Sequence, residues 1–269
     1  MALAVEEIRR MRGGAQSHLM RCADDSYYVV KFQNNPQGVR ILANELLGTR
    51  LAARMGLPVA GASVVHVNAE LIARTDDLVM QLGRGRETCV AGPQFGSRYP
   101  GDPAETVVYD FLPDEQLREV ENLDCFAGMM AFDKWTCNTN GRQVIFYRAP
   151  AEHSGGSTRL RASMIDQGFC FNAGEWNFPD APLRGIYNRQ RVYEDVRGME
   201  AFEPWLDRIL KIGEEALDEA ASEVPPDWYG FDQDALYRML EHLYRRRALV
   251  PELIRSAWKS SRNPFPNWT

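Results

Sequence analysis

Short β-forming runs separated by turn residues dominate the first part of the chain, and helical periodicity dominates beyond about residue 185. The run Tyr27-Tyr28-Val29-Val30-Lys31-Phe32 follows the polar turn Asp24-Asp25-Ser26, so 18–33 reads as a hairpin. Asn34-Asn35-Pro36 breaks it. From 37 to 55 apolar residues recur at helical spacing (Val39, Leu42, Leu46, Leu47, Leu51, Met55), and Gly56 with Pro58 supplies the stop. Strands are expected over 59–67 and 70–74, and a loop over the glycine- and proline-rich stretch 83–104. The apolar run 106–112 reads as extended chain and 123–136 as a buried helix. Strands at 143–147 and 159–165 should flank a tight polar turn at 152–157. The segments 201–222, 232–247 and 251–260 carry helical patterns with no strand signal. Sheet and helix first, then helices alone, is a two-lobed α+β plan. The expected division is a small sheet-rich N-lobe over 1–112 and a mainly helical C-lobe over 113–269.

Composition narrows the function classes. The 269 residues suffice for one large domain or two lobes, and 45% hydrophobic with 25% charged residues is ordinary globular usage. A net charge of −6 offers no electrostatic footprint for nucleic acid, so no direct nucleic-acid binding is expected. The stretch 1–11 lacks the apolar core of a signal peptide, and no segment approaches the roughly 18 apolar residues of a spanning helix. The expectation is a cytoplasmic protein with no membrane partner. Cys22, Cys89, Cys125, Cys137 and Cys170 are widely spaced with no C-x-x-C pair, the pattern of reduced cytosolic thiols. The four histidines are equally scattered. Any metal must then be held by carboxylates and amides, which favours a hard ion such as magnesium.

Four segments could carry chemistry. The glycines of Gly13-Gly14-Ala15-Gln16-Ser17 let several N–H groups point at a phosphate, although most such turns only join strands. Lys31, inside an apolar strand, is either an outward-facing residue or a buried cation that needs a partner. Glu45, in the helix that follows, is the partner on offer. Asp166 ends the apolar run Ser163-Met164-Ile165 and precedes Gln167-Gly168; a metal ligand and a simple turn residue both fit that position. The last segment runs from Asp133 to Gln143, between the buried helix and the hairpin that leads to Asp166. Elsewhere, Met129-Met130 reads as core filler. Arg245-Arg246-Arg247 reads as positive charge at a helix C-terminus, and Phe265 with Trp268 as aromatics tucked into the body.

In their order, GGAQS, VVKF, NE, DKWTCNTNGRQ and MIDQG resemble the HipA-like kinases and, more distantly, the phosphatidylinositol-kinase-like fold. The resemblance spans residues 10–175. It implies a protein-kinase-like fold, ATP, Mg2+ and phosphoryl transfer, often to a protein serine or threonine, with a protein substrate or regulatory partner. Carried over, Lys31 would contact the phosphates, Glu45 would position Lys31, and Asp166 would hold magnesium. Gly13, Gly14, Ala15, Gln16 and Ser17 would cover the phosphates, and Tyr109, Asp110, Phe111 and Leu112 would form the hinge facing adenine.

The pattern departs from the family at the catalytic base. Aligning on Trp135 and Asn138 puts Asn140 where the family carries Asp, and Ile145 in the second metal-ligand slot. A neutral amide cannot take a proton as a carboxylate does, although it can orient a hydroxyl. Asn138 or Gln143 would then supply an amide oxygen to the metal. Asp133 is an alternative carboxylate with kinase-like spacing to Asn138, but its place in the helix makes that spacing read as coincidence. A slow kinase, a nucleotide-binding pseudokinase and an inactivated kinase all stay open.

Overall fold

A computed structural model describes residues 1–148 and 159–269; the turn expected over 152–157 lies outside them. Strands β1 (Ala2–Arg10), β2 (His18–Cys22) and β3 (Tyr27–Lys31) form an antiparallel meander. Helix α1 (Arg40–Arg54) follows, then β4 (Ala62–Val67), α2 (Ala69–Ala73), the hairpin β5 (Val79–Leu82) and β6 (Gly85–Thr88), and β7 (Gly92–Arg98). The order β1-β2-β3-β7-β4 closes into a barrel through a parallel β1–β4 contact. Met20, Val30, Phe32, Val65 and Met80 fill its own small core.

Two expectations fail in this region. Residues 70–74 are helical rather than extended, because Asn68 caps α2 by accepting the Leu71 N–H at 2.8 Å. The stretch 83–104 is not a loop: it contains β6 and the central barrel strand β7. One of its glycines, Gly96, serves packing rather than turning. A Cβ at Gly96 would sit 2.4 Å from Val65 Cγ2 and 3.1 Å from the Tyr28 ring, so only glycine lets the strand pass.

Beyond the barrel, β8 (Val108–Tyr109), α3 (Asp114–Leu117), α4 (Cys125–Trp135), β9 (Gln143–Arg148) and β10 (Leu160–Ile165) come in turn, the strands pairing in the order β10-β9-β8. Helices α5 (Glu203–Lys211), α6 (Glu214–Ser222), α7 (Gln233–Arg246) and α8 (Val250–Trp258) complete the chain. The single helical pattern of 201–222 is two helices, broken at Ile212 and Gly213, where Arg247 donates to the Ile212 and Leu210 carbonyls. A large core joins α4, these four helices and the second sheet, with Phe265 and Trp268 tucked in and Trp268 stacked on Trp258. Helix α1 contributes Leu42, Leu46, Leu47 and Leu51 to this large core, not to the barrel. It is therefore packed against the part of the molecule that carries Asp166.

Candidate functional site

The site starts from a lysine that the fold turns inward. Lys31 ends β3, and its ammonium meets the carboxylates of Glu45 on α1 and Asp166 after β10. Its Nζ donates to Asp166 Oδ1 at 2.7 Å and to Glu45 Oε1. Side-chain exposure is 11% for Lys31, 2% for Glu45 and 19% for Asp166, so the group opens to its ligand side only at Lys31 and Asp166. Burial works against the Lys31 charge, but the two carboxylates outweigh it and raise its pKa. Burial dominates at Glu45: despite Lys31, its carboxyl is pushed up to about 7. At Asp166 burial is overcome by Lys31, and the pKa falls. Asp166 thus stays the anionic member of the pair.

The backbone around Asp166 is held from several sides. Its φ of 61° is left-handed, a conformation that Asp tolerates and that surrounding contacts must enforce. The Gln167 N–H donates to Glu45 Oε2 at 2.8 Å. The Asn44 side chain donates to the carbonyls of Gly168, Cys170 and Ala173 and accepts from Trp176 Nε1 at 2.8 Å. A Cβ at Gly168 would lie 2.6 Å from Ile41 Cγ2, and one at Gly48 would lie 2.8 Å from Gln167 Cβ. Glycine at both positions lets α1 approach closely enough for Glu45 to reach Lys31.

A cavity of about 310 Å³ lies beside this trio, within the usual range for a small-molecule site. Val29, Phe95, Ile145 and Ile165 give it apolar walls. Gly13, Gly14, Ala15 and Ser17 border it, with Gly13 at φ 125°, and Arg12 adds a cation. Gln16 does not line it. Its side chain instead exchanges two 2.8 Å hydrogen bonds with the Gln81 backbone, bracing the glycine turn against the β5–β6 hairpin.

The hinge expectation needs correction. Tyr109, Asp110, Phe111 and Leu112 are not on the cavity; Ser97, Arg98, Tyr99, Pro100 and Val108 are. Phe111 faces outward under the Arg189 guanidinium, and Leu112 is buried in the large core. The chain leaving β7, which the sequence presented as loop, borders the cavity instead. Sequence reasoning also missed Phe95, whose strand was hidden by flanking glycines.

The Asp133–Gln143 segment divides into structure and site. Asp133 is buried and clamped by Arg142, with Asn138 Nδ2 donating to it at 3.0 Å. A carboxylate so engaged is no candidate base. Asn138 also accepts the Asn140 N–H at 3.0 Å, so both ends of its amide are committed away from the cavity; the expected metal role does not fit it. Arg142 continues inward to the Ile165 carbonyl at 2.8 Å and to Gln167 Oε1 at 2.6 Å. It locks the loop to the backbone next to Asp166, a role invisible in sequence. Asn140 and Gln143 do line the cavity, and Gln143 Nε2 donates to Asp166 Oδ2 at 2.6 Å.

The remaining observation concerns a ligand. Gln37 lies on the cavity beside Gly14, and its buried Oε1 finds no hydrogen-bond partner among the described residues. Asp166, Asn140 and Gln143 carry oxygen donors of the kind a hard divalent cation takes, and with Glu45 they border the same cavity. The residues fit such an ion.

Among known proteins, the sequence pattern described as HipA-like kinase matches residues 4–146. No curated protein matches the sequence. Solved structures share the fold, and three of them serve as examples. The Golgi casein kinase has a TM-score of 0.57 at 12% identity, over 99% of this chain and 78% of that one. The Golgi casein kinase with Mn/ADP bound gives 0.51 at 11%, over 97% and 73%. The Helicobacter pylori proinflammatory kinase CtkA gives 0.51 at 13%, over 94% and 95%. The fold is therefore kinase-like and α+β.

Proposed function

Because the chain belongs to the HipA-like kinase family, we propose that it is an ATP- and magnesium-dependent phosphotransferase with a protein serine or threonine hydroxyl as acceptor. The observation that carries this reading is the convergence of Lys31, Glu45 and Asp166 on one cavity bordered by the glycine turn. In this reading 1–112 forms the nucleotide-covering lobe and 113–269 the acceptor-side lobe. Five free thiols suit a reducing cytoplasm.

Each residue then has a defined task. The backbone N–H groups of Gly13, Gly14 and Ala15 cover the phosphates, with Arg12 and Gln37 adding donors. Lys31 neutralises phosphate oxygens, and Glu45 keeps it extended toward them. The apolar walls Val29, Ile145 and Ile165 hold the base. Asp166, with amide oxygens of Gln143 and Asn140, would hold the magnesium, which supplies charge neutralisation for the phosphates when bound. The acceptor oxygen forms a bond to the γ-phosphorus while the bond from that phosphorus to the leaving ADP oxygen breaks with its electron pair. The hydroxyl proton passes to water, because Asn140 can orient the hydroxyl but cannot take its proton. Phosphoryl transfer through a loose transition state depends more on positioning and charge than on a base, so the reaction is slow rather than abolished.

The test is paired. Thermal unfolding with and without ATP and magnesium reads binding, and transfer of labelled γ-phosphate to the chain or to a protein acceptor reads chemistry. A ligand at about 100 times its Kd stabilises by roughly 2.7 kcal/mol. Binding with transfer supports the proposal; no shift at millimolar nucleotide rejects it. Binding without transfer favours the second reading, a nucleotide-binding pseudokinase, which is supported by Asn140 bordering the cavity where the family resemblance expects Asp.

A further inference from the structure

A second groove, of about 590 Å³, begins at Gly141, the residue after Asn140. Leu183, Tyr187 and Arg189 form one wall, and Arg262, Asn263 and Pro264 form the other. Gln190 Nε2 ties the two together through the Asn263 carbonyl at 3.0 Å. The first wall is fastened directly to the loop that carries Asn140. The Gly185 N–H donates to the Asn140 carbonyl at 3.0 Å, the Arg142 N–H donates to the Ile186 carbonyl at 3.3 Å, and Lys134 Nζ donates to the Arg184 carbonyl. Gly185, at φ 65°, packs so closely that a Cβ would lie 2.6 Å from Asp133 Cβ. The groove therefore keeps a fixed position relative to Asn140.

Its charge is opposite to that of the whole chain. Two arginines and no carboxylate line it among the described residues, in a protein of net charge −6. Arg189 shares its charge with Asp114 and stacks over Phe111 at 4.7 Å. Arg262 is exposed and makes no ion pair among the described residues. Exposed Leu183 and Phe111 add an apolar shoulder.

We propose that this groove receives the acceptor polypeptide as an extended segment with acidic side chains flanking its hydroxyl residue. Naming that segment the acceptor rests on the phosphotransferase reading; its affinity for the groove does not. Charge complementarity selects the occupant: carboxylates on the segment meet Arg262 and Arg189, while a basic segment would be repelled.

The experiment is fluorescence anisotropy with two labelled serine peptides, one flanked by glutamates and one by lysines, in the presence of ATP and magnesium. The glutamate peptide should bind at least about tenfold more tightly, and more weakly as salt rises. Arg262→Glu should weaken it by roughly tenfold, and Leu183→Glu, on the opposite wall, should do the same. Equal binding of the two peptides, or no effect of either variant, overturns the proposal. So does sedimentation showing a dimer that Arg262→Glu dissolves, because a second copy then fills the groove. The ATP-induced thermal shift is read on the same samples. Its absence together with retained glutamate-peptide preference would reject the phosphotransferase reading and leave the groove assignment standing.

Discussion

Lys31 and Asp166, 135 positions apart in the chain, meet at 2.7 Å, and Glu45 closes the contact from the helix between them. The bond joins the barrel to the second sheet across the cavity. It also fixes which carboxylate keeps its charge: Asp166 stays anionic while Glu45 is pushed toward neutrality. A ligand with its own negative charge competes with Asp166 for Lys31 rather than for a group free in solvent.

Lys31→Ala should therefore lower ATP affinity by one to two orders of magnitude, as expected for loss of a hydrogen bond to a charged group worth about 1.5–3 kcal/mol. Titration calorimetry with ATP and magnesium checks this. Circular dichroism should show a folded chain, because a small shell of water can reach the partly open side of the trio.

Asn140→Asp should increase phosphate transfer by about 10²–10⁴-fold, the usual contribution of a positioned general base. Single-turnover measurement of labelled γ-phosphate is the check. An unchanged rate would place the limiting deficiency elsewhere than in residue 140.

Stability should fall as pH rises from about 4.5 to about 7, through the window set by Glu45. The unfolded chain releases this proton near the ordinary value of 4.5, whereas the folded chain keeps it until about 7. The folded state thus binds more protons across the window, and deprotonation favours unfolding. Glu45→Gln should flatten that part of a urea-stability profile measured at successive pH values. Asp166 acts oppositely, stabilising above its unfolded pKa and losing that contribution as pH falls through its lowered folded value.

Arg142→Met should destabilise by about 3–5 kcal/mol, because it leaves the Asp133 carboxylate buried without its cation. Equilibrium urea denaturation measures the loss. Converting the pair together, Asp133→Asn with Arg142→Met, should recover a large part of it.

Gly48→Ala sets two effects against each other. Helix propensity gains about 1 kcal/mol, but the new Cβ would meet Gln167 Cβ at 2.8 Å, and such overpacking costs about 1–3 kcal/mol. The net expectation is destabilisation with weakened ATP binding, since α1 must retreat and carry Glu45 with it. Urea midpoints and ATP titration on the same variant test both halves.

The local rules that succeeded here were those in which short-range chemistry agreed with the final packing. Tyr27–Lys31 has the composition of a strand, 37–55 the spacing of a helix, and 232–247 the pattern of another, found as α7. They failed where a residue type served a distant neighbour. Gly96 looked like loop and is a strand residue, because Val65 and Tyr28 leave no room for a Cβ. Residues 70–74 looked extended, yet one Asn68 side chain captures their first turn. The family resemblance made Tyr109, Asp110, Phe111 and Leu112 the expected hinge, but Phe111 found Arg189 and Leu112 found the large core.

The ingredients of the site (a glycine turn, a lysine in a strand, a carboxylate on the next helix, an aspartate after a strand) are all readable from residue types and their order, because each follows from its nearest neighbours. Their convergence is not. It needs Gly48 and Gly168 to admit α1, Asn44 to bind the 168–173 backbone, and Arg142 to join Asp133 to Gln167. These contacts join residues that lie far apart in the chain, and only closing the chain on itself brings them within bonding distance.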